Sequence, residues 1–506
     1  MPSIRSTVPG APLVVGLTPF TLKGPIGSPE AIVSALDYPP LIDADRMSAY
    51  ADYEALVENR PWAVFDDLNL KPGQESKIVL ALALPELLCN VWADAVWSDP
   101  PTLEMGTDAL TARWQAFAVE NDMVTKGWES VFSAGMRGTS VLKLRVDEND
   151  PFEQTRLDEV SAGVFFPKLK RGSDRVWDYI VLAWEEDRTE ASKPDLWQVR
   201  ELHIIERGRY VIRHQERKRG STPWHESMPD EVTELDFLPF VDLHGARWSG
   251  RYWGMSELQR VTTLVDELDN RLSDIAEVLE YHGKPVLQVP ASLMPGGVLE
   301  KGADRTIGIR DPALADVTRY ITYDGMIASQ ITTLDRILDL ALLTCEVPST
   351  YFGIGVEGAA PSGVAMKLRL QNFLKKAARW QKRESLRLRT LAEFVARIDG
   401  ATATDARSGV VTHGSPLPAD DEQEARIESL LTGGVPLSSR KTSITKLRRV
   451  ADVDDELKSI DDDAEAVSVG APPLPVATGL TEAGIALAET PAPQEGTLTP
   501  PAPPVA

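Results

Sequence analysis

Residues 256–282 read SELQRVTTLVDELDNRLSDIAEVLEYH, and this stretch indicates the architecture of the whole chain. Its apolar side chains recur at alternating spacings of three and four, which places them on one face of a helix over three heptads. They are Leu258, Val261, Val265, Leu268, Leu272, Ile275 and Leu279. Gly283 and Pro285 end the pattern. The spacing predicts one long helix whose seam packs either inside the subunit or against a neighbouring subunit.

The remaining faces of this helix are acidic. Acidic neighbours on a helix are more typical of solvent-facing charge than of a general acid–base pair. The six carboxylates are Asp266, Glu267, Asp269, Asp274, Glu277 and Glu280.

A second long helix follows a short β-rich stretch. Residues 284–322 contain three alternating runs, KPVLQVP, RTIGIR and VTRYITY, which favour strands. Residues 325–346 then carry apolar side chains at helical spacing, which predicts a wide buried stripe. The stripe consists of Ile327, Ile331, Leu334, Ile337, Leu338, Ala341, Leu342 and Cys345.

A third helix is predicted over residues 364–398, after a loop over 347–363 that is rich in Gly, Ala and Pro. Loops of this length inside a compact protein are usually functional or mobile. The helix has ten basic and two acidic residues, a net charge of +8. This charge indicates either a solvated face paired with acidic residues elsewhere or a face toward nucleic acid.

The first half of the chain begins with predicted helices. They cover residues 42–60, 107–121 and 123–135, and residues 78–98 predict one or two buried helices interrupted near Pro85. In the first of these helices Met47, Tyr50, Tyr53 and Leu56 share an apolar face.

The centre of the chain and its two termini are not predicted to be helical. Residues 140–245 contain short alternating runs separated by Asp, Gly and Pro, which is typical of an antiparallel meander. The fold class is therefore α+β and not a series of βαβ units. Residues 1–40 predict a flexible arm. Residues 461–506 lack Lys and Arg, begin acidic and continue with nine prolines, which predicts a disordered tail.

Composition narrows the function classes. The chain has 506 residues with a net charge of −23, which argues against a dedicated sequence-reading nucleic-acid binder. Two cysteines cannot form a disulfide scaffold, which favours synthesis in a cytosol. The N-terminus is too weakly apolar for a signal peptide, and no uncharged apolar run approaches about 18 residues, so no membrane span is predicted.

Motifs that carry chemistry are absent from the sequence. It has no GxxxxGK[ST] loop, no GxSxG elbow and no HExxH helix. Its six histidines are scattered without metal-ligand spacing, and each is interpreted as solvated or satisfied in the core. We therefore predict no catalytic residues, no cofactor and no metal.

In element order and in its turns, the chain resembles the portal proteins of tailed bacteriophages, of the siphophage type. The resemblance covers about residues 40–460. The short matches flank the predicted helices and are Trp253-Gly254-Met255-Ser256, His282-Gly283-Lys284-Pro285, Val347-Pro348, Tyr351-Phe352-Gly353 and Ser362-Gly363.

The resemblance implies a division of the chain into the parts of a portal subunit. These are a flexible N-terminal arm (1–40), an α+β wing (41–250), a first stem helix (251–283), a β-rich clip (284–322), a second stem helix (323–346), a tunnel loop (347–363), a long wing/crown helix (364–400), a helical crown (401–460) and a disordered acidic, Pro-rich tail (461–506).

The resemblance also implies site residues. The tunnel loop would contribute Gly353, Gly355, Glu357, Gly358, Pro361 and Ser362. The six carboxylates of the first long helix would line the channel wall. The basic helix would present Lys367, Arg369, Lys375, Lys376, Arg379, Lys382, Arg383 and Arg387. The clip would contribute Lys284, Pro285, Arg305 and Arg310.

The function implied is a ring, usually of twelve copies, at one capsid vertex, through which double-stranded DNA is packaged and ejected. Its partners would be other copies of itself, the DNA, the large terminase subunit, a head–tail connector or adaptor protein, and the major capsid and scaffold proteins. It would be a virion component assembled in the host cytoplasm, with no enzymatic activity. The alternatives are another minor capsid or head-morphogenesis protein and, less favoured, a nucleic-acid-processing enzyme.

Overall fold

The computed structural model divides the chain into two units, residues 1–418 and 419–506. The first unit mixes helices and sheets, as expected of an α+β chain. The structure describes residues 43–65, 79–146, 155–189, 195–221, 223–282, 286–290, 306–309, 319–321, 327–354, 368–416, 429, 439–447 and 453–470.

Two helices begin the described chain: α1, Ala44–Val57, and α2, Leu84–Trp97. The apolar face predicted for α1 is buried, including Tyr50 and Leu56. The predicted interruption near Pro85 is wrong. Pro85 lies in the first turn of α2, where its missing N–H would have had no helical partner, so a single helix runs through to its end.

The next two helices lie where the sequence predicts them: α3, Asp108–Glu120, and α4, Met123–Arg137. Thr107 caps α3 because its side chain accepts a hydrogen bond from the Leu110 N–H, at 3.3 Å. Gly138 ends α4 with a φ of 80°, a conformation that glycine adopts without strain.

Within the described residues, nine strands precede the first long helix, and eight of them form two antiparallel sheets. The strands are β1, Thr102–Glu104; β2, Thr139–Val146; β3, Thr155–Val160; β4, Phe165–Leu169; β5, Trp177–Asp187; β6, Leu196–Glu206; β7, Arg209–Lys218; β8, His225–Thr233; and β9, Phe240–His244.

The predicted meander is confirmed for β4 to β8, which pair in chain order as a five-stranded sheet. A second sheet, in the order β3-β2-β9, shares no strand pairing with it but packs against it through Val141, Phe165 and Phe240. In this sheet Leu142 pairs with Glu159 on one side and with Val241 on the other. β9 thus returns across the whole meander to pair with β2, which the spacing of the strands does not predict.

A two-helix hairpin follows: α5, Thr262–His282, packs against α6, Ile327–Thr344. Between them in the chain lie three short strands: β10, Val286–Pro290; β11, Thr306–Ile309; and β12, Arg319–Ile321. The central strand β10 pairs in parallel with β11 and antiparallel with β12. The predicted order of helix, β insert and helix is confirmed.

The predicted basic helix is α7, Gln371–Ile398, and it ends at the predicted residue. Residues 364–367, where we expect it to begin, lie outside the described residues. A short helix α8, Ala403–Ala406, and strand β13, Val410–Thr412, follow α7, and β13 pairs antiparallel with β1.

The largest apolar core lies where α2, α4, α5, α6 and α7 meet. Trp92 of α2 stacks on Phe373 of α7, with ring centroids 5.4 Å apart. Val265 and Leu268 of α5 and Ala341 of α6 belong to the same core. One end of the hairpin is therefore built into the body of the first unit.

The second unit contains α9, Arg440–Leu447, and α10, Val453–Gly470. Lys441 forms an ion pair with Asp454 at 2.6 Å. The prediction that disorder begins at residue 461 is wrong, because α10 continues through the acidic run to Gly470. Three acidic residues in its first turn favour this helix by interacting with its dipole. Residues 471–506 lie outside the described residues.

Candidate assembly and channel surfaces

The burial of the α5 seam changes along the helix. Val261, Val265 and Leu268 are buried, whereas Leu279 near the far end is 50% exposed. A seam that packed wholly inside the subunit would be buried throughout. The seam therefore packs inside the subunit at the start of α5 and is left open at its end.

The second hairpin helix follows the same gradient. Ala341, Leu342 and the neighbouring Cys345 are buried, and Leu334, Ile337 and Leu338 are half-buried against the same core, whereas Ile331 near the start of α6 is 46% exposed. The prediction of a wide buried stripe therefore holds from Leu334 to Cys345 and fails at Ile331. Leu343, outside the stripe, is 68% exposed. Within the described residues, the far half of the hairpin exposes apolar side chains, a feature that marks interaction surfaces.

Close backbone contacts fix the start of the hairpin. A Cβ atom on Gly254 would lie 2.0 Å from the Gly138 carbonyl oxygen, so only glycine fits at this position. The Ser256 hydroxyl donates to the Met136 carbonyl oxygen at 2.5 Å. The turn Trp253-Gly254-Met255-Ser256 thus anchors the chain to the end of α4 before α5 begins.

A buried ion pair joins α7 to the base of the hairpin, where the chain enters α5 and leaves α6. The Lys376 ammonium lies 2.5 Å from Glu257 Oε2, and both side chains are at most 5% exposed. The same ammonium donates to the Cys345 carbonyl oxygen at 2.8 Å and lies 4.3 Å from the Trp92 ring centroid. One charged group therefore connects the residue before α5, the residue after α6, and α7.

An extended segment before α2 is held against α5. Ser273 Oγ accepts a hydrogen bond from the Leu80 N–H at 3.0 Å, and Asp269 Oδ1 accepts one from the Leu82 N–H at 2.9 Å. Asp269 is 1% exposed. Burial raises the pKa of its carboxyl to about 6, although the Leu82 hydrogen bond acts in the opposite direction.

A second buried charge pair lies further along α7. Arg387 donates to Glu384 Oε1 at 2.7 Å, and neither side chain is exposed. Arg387 also donates to Ser130 Oγ of α4, which is hydrogen-bonded to Ser140 Oγ of β2 at 2.9 Å. These contacts connect α7 to α4 and to the sheet formed by β3, β2 and β9.

Five of the six residues predicted for a channel wall are accessible, and one is not. The prediction is wrong for Asp269, because its carboxylate is enclosed beneath the extended segment and cannot line a channel. Asp266 is half-buried and accepts a hydrogen bond from Asn270 at 2.9 Å. The four exposed carboxylates are Glu267, Asp274, Glu277 and Glu280.

The basic helix is only partly a basic surface. The prediction that Lys376 and Arg387 belong to an exposed face is wrong, because both side chains are buried in ion pairs. Helical periodicity places them, together with Glu384, on the same face as the apolar residues of α7, so this signal was present in the sequence. Arg383 is half-buried, Lys367 lies outside the described residues, and the exposed members are Arg369, Lys375, Arg379 and Lys382.

The predicted tunnel-loop and clip residues are mostly outside the described residues. Gly353 is described: it follows a 3-10 helix, Ser349–Phe352, with a φ of 74°. The residues outside are Lys284, Pro285, Arg305, Arg310, Gly355, Glu357, Gly358, Pro361 and Ser362.

A cavity of about 420 Å³ opens beside the base of the hairpin. Leu84 and Leu87 of α2 form one wall, and Leu338 and Leu342 of α6 form another. Its lining is almost wholly apolar, so it suits apolar side chains and not a nucleotide. In the described ranges, the His, Cys, Asp and Glu side chains form no group of three that could hold a metal ion.

Sequence reasoning did not identify a polar network that joins the two sheets. His203 is fully buried, and its Nε2 lies 3.1 Å from Glu201 Oε2 while its Nδ1 lies 2.7 Å from the Tyr210 hydroxyl. Burial lowers the pKa of His203 to about 4, so the ring is neutral. Burial alone would raise the pKa of Glu201, but His203 and Lys143 lower it to about 2. The interpretation of His203 as a satisfied core histidine is confirmed.

The described helices include none that is both long and apolar enough to cross a bilayer. In a comparison with known families, the model of the family described as "Phage portal protein, SPP1 Gp6-like" matches residues 75–469. The search of curated proteins found no match. The matched region covers more than half of the chain, which therefore belongs to this family of phage portal proteins. Such proteins are structural components of the phage capsid that act in DNA packaging, and the family is not one of enzymes.

Proposed function

We propose that about twelve copies of this chain form a closed ring at one capsid vertex, and that double-stranded DNA passes through its centre during packaging and ejection. The observation that carries this proposal is the α5–α6 hairpin. Its base is embedded in the core, whereas Leu279 and Ile331 at its far end, and Leu343 on another face of α6, are exposed. Neighbouring subunits in a ring would cover these side chains.

In this proposal the parts of the hairpin correspond to the stem and clip of a portal. α5 belongs to the first stem helix (251–283) and α6 belongs to the second (323–346). The sheet formed by β10, β11 and β12 belongs to the clip (284–322). Residues 41–250 form the wing, and α7 is the long helix between wing and crown. The crown (401–460) would extend to Gly470, because α10 continues that far.

The proposed channel wall consists of the exposed acidic side chains of α5. Glu267, Asp274, Glu277 and Glu280 are exposed acidic side chains and would be repeated around the ring. Phosphates are repelled by such a wall, so DNA would slide through the channel without binding to it.

The proposed partners act at opposite ends of the ring. The clip would hold the large terminase subunit during packaging and the head–tail connector afterwards, and the major capsid and scaffold proteins would surround the wing. ATP hydrolysis would belong to the terminase, and the portal ring would have no enzymatic activity. Assembly would take place in the host cytoplasm.

The test is the mass and shape of the purified chain, measured by light scattering and negative-stain imaging. We expect rings with a central hole and a mass of about twelve subunits. If closure needs the capsid partners, co-expression with the scaffold and major capsid proteins should produce the rings. A chain that stays monomeric under both conditions, or a monomer that cuts DNA, would contradict the proposal.

A further inference from the structure

We propose that the exposed basic side of α7 docks onto the acidic outer face of the α5–α6 hairpin of the next subunit. This inference rests on the proposed ring. It names the two surfaces of the chain that meet between neighbours and assigns α7 a protein partner in place of DNA.

The first surface is a straight stripe on α7, which we name the basic stripe. It consists of Lys375, Arg379, Lys382, Leu386 and Arg389, at spacings of four, three, four and three residues. All five side chains are exposed. This periodicity places them on one face of the helix, and they extend over about 21 Å at 1.5 Å per residue.

The charge on the basic stripe is only partly balanced within the subunit. Arg379 forms an ion pair with Glu346 at 2.6 Å, just beyond the end of α6. Among the described residues, no acidic side chain pairs with Lys375, Lys382 or Arg389. The middle and far end of the stripe are therefore available to an acidic partner.

The second surface is the outer face of α6. Asp335 and Asp339 lie one turn apart and are exposed, with Leu340 and Leu343 beside them at 38% and 68% exposure. Apolar side chains bordered by charges are typical of the centre and rim of protein–protein interfaces.

The two surfaces carry opposite charge. On α6, Asp335, Arg336 and Asp339 are exposed, a net −1. The basic stripe carries Lys375, Arg379, Lys382 and Arg389, a net +4, of which Arg379 is paired with Glu346. A ring built by repeated rotation requires two different, complementary patches on each copy. These two surfaces of one chain meet that requirement.

The composition of the stripe favours a protein partner over DNA. Leu386 is 51% exposed and lies between Lys382 and Arg389. A helix that follows a phosphate backbone gains nothing from an exposed leucine in the middle of its contact face. An exposed leucine opposite Leu340 and Leu343 would instead bury apolar area.

Charge exchange tests the inference. The first variant is Lys382→Glu with Arg389→Glu, the second is Asp335→Lys with Asp339→Lys, and the third combines all four substitutions. We expect each of the first two to lower the ring fraction about tenfold, and the combination to restore it to within about threefold of the original, because opposite charges again face each other. Ring fraction is measured by light scattering and imaging at one protein concentration.

A matched control is Lys168→Glu with Arg171→Glu, which makes the same charge change at exposed positions near β4. This control should leave ring formation unchanged. All the substituted residues are exposed, so thermal denaturation should show folded subunits of ordinary stability.

Four outcomes would overturn the inference. Rings that form normally in the first variant, or a loss that the combined variant does not restore, would overturn it while leaving the portal ring intact. A first variant that forms normal rings but loses binding to duplex DNA would assign the stripe to DNA. An unsubstituted chain that never forms rings would contradict both this inference and the proposed function.

Discussion

Lys376 joins three segments of the chain through a single ammonium group. It contacts Glu257, the Cys345 carbonyl and the Trp92 ring inside the largest core. Burial of an ion pair has a large desolvation cost, so such a pair adds little net stability. Its effect is to make one arrangement of the hairpin and α7 far more favourable than any other that would leave one charge buried alone.

Substitution of Lys376 by Met should destabilise the subunit by about 3–5 kcal/mol, because Glu257 would stay buried without a partner. The free energy of unfolding is measured by urea denaturation. Lys375→Met is the matched control, since the neighbouring lysine is exposed, and its cost should be within about 0.5 kcal/mol.

The double variant Lys376→Met with Glu257→Leu should recover most of the lost stability, because both charges are then replaced by apolar groups. A cost for Lys376→Met no larger than that of Lys375→Met would contradict the role given to this pair.

At the scale of single elements, the hairpin shows that one heptad seam has two environments. The first half of α5 packs into the core of its own subunit, and the far end leaves Leu279 half-exposed. The pattern of residues is the same along the whole helix. Only the distance from the body of the subunit differs, and it determines which half remains for a neighbour.

Aspartate substitutions at the two ends of the seam separate folding from assembly. Leu268→Asp should destabilise the subunit by about 4 kcal/mol or more, because it buries a charge with no partner. Leu279→Asp should change the stability of the subunit by about 0.5 kcal/mol or less, because the site is already open to water.

The same Leu279→Asp variant should reduce ring formation, measured by light scattering, since the proposed ring covers this end of the hairpin. Equal effects of the two substitutions on unfolding would show that the burial gradient is wrong. Normal rings with Leu279→Asp would show that this end of the seam stays exposed after assembly.

At the scale of the whole molecule, residues 355–367 connect the α5–α6 hairpin to α7. Both flanks of this connection are held in the core, where Tyr351 packs on Phe373 with ring centroids 4.9 Å apart. The connection can therefore be altered without removing the packing on either side of it.

Deletion of residues 355–361 should leave rings intact and impair DNA packaging or retention, because the segment belongs to the proposed tunnel loop. Rings are assessed by imaging, and packaged DNA is quantified in assembled particles. The control replaces the same seven residues by Gly and Ser, which keeps the length of the connection. Loss of rings from chains that remain folded would show that the segment is needed for assembly and not for the channel.

The sequence alone determined the elements whose signal is local. The seam of α5, the face of α1 and the end of α7 follow from helical periodicity, and the five-stranded sheet follows from alternation and short turns. The order of helix, β insert, helix, loop and basic helix was also sufficient for the resemblance to portal proteins. Each of these features depends on residues close together in the chain, where backbone geometry alone fixes which side chains share a face.

Only the tertiary structure decided which partners the buried charges have and which strands pair across long separations. Lys376, Arg387 and Asp269 belong to charged runs in the sequence, yet each is enclosed by partners far away in the chain, such as Glu257, Ser130 and Leu82. The return of β9 to β2 and the pairing of β1 with β13 are equally non-local. The free energy of such contacts depends on which surfaces the folded chain brings together, and no local spacing of residues encodes that choice.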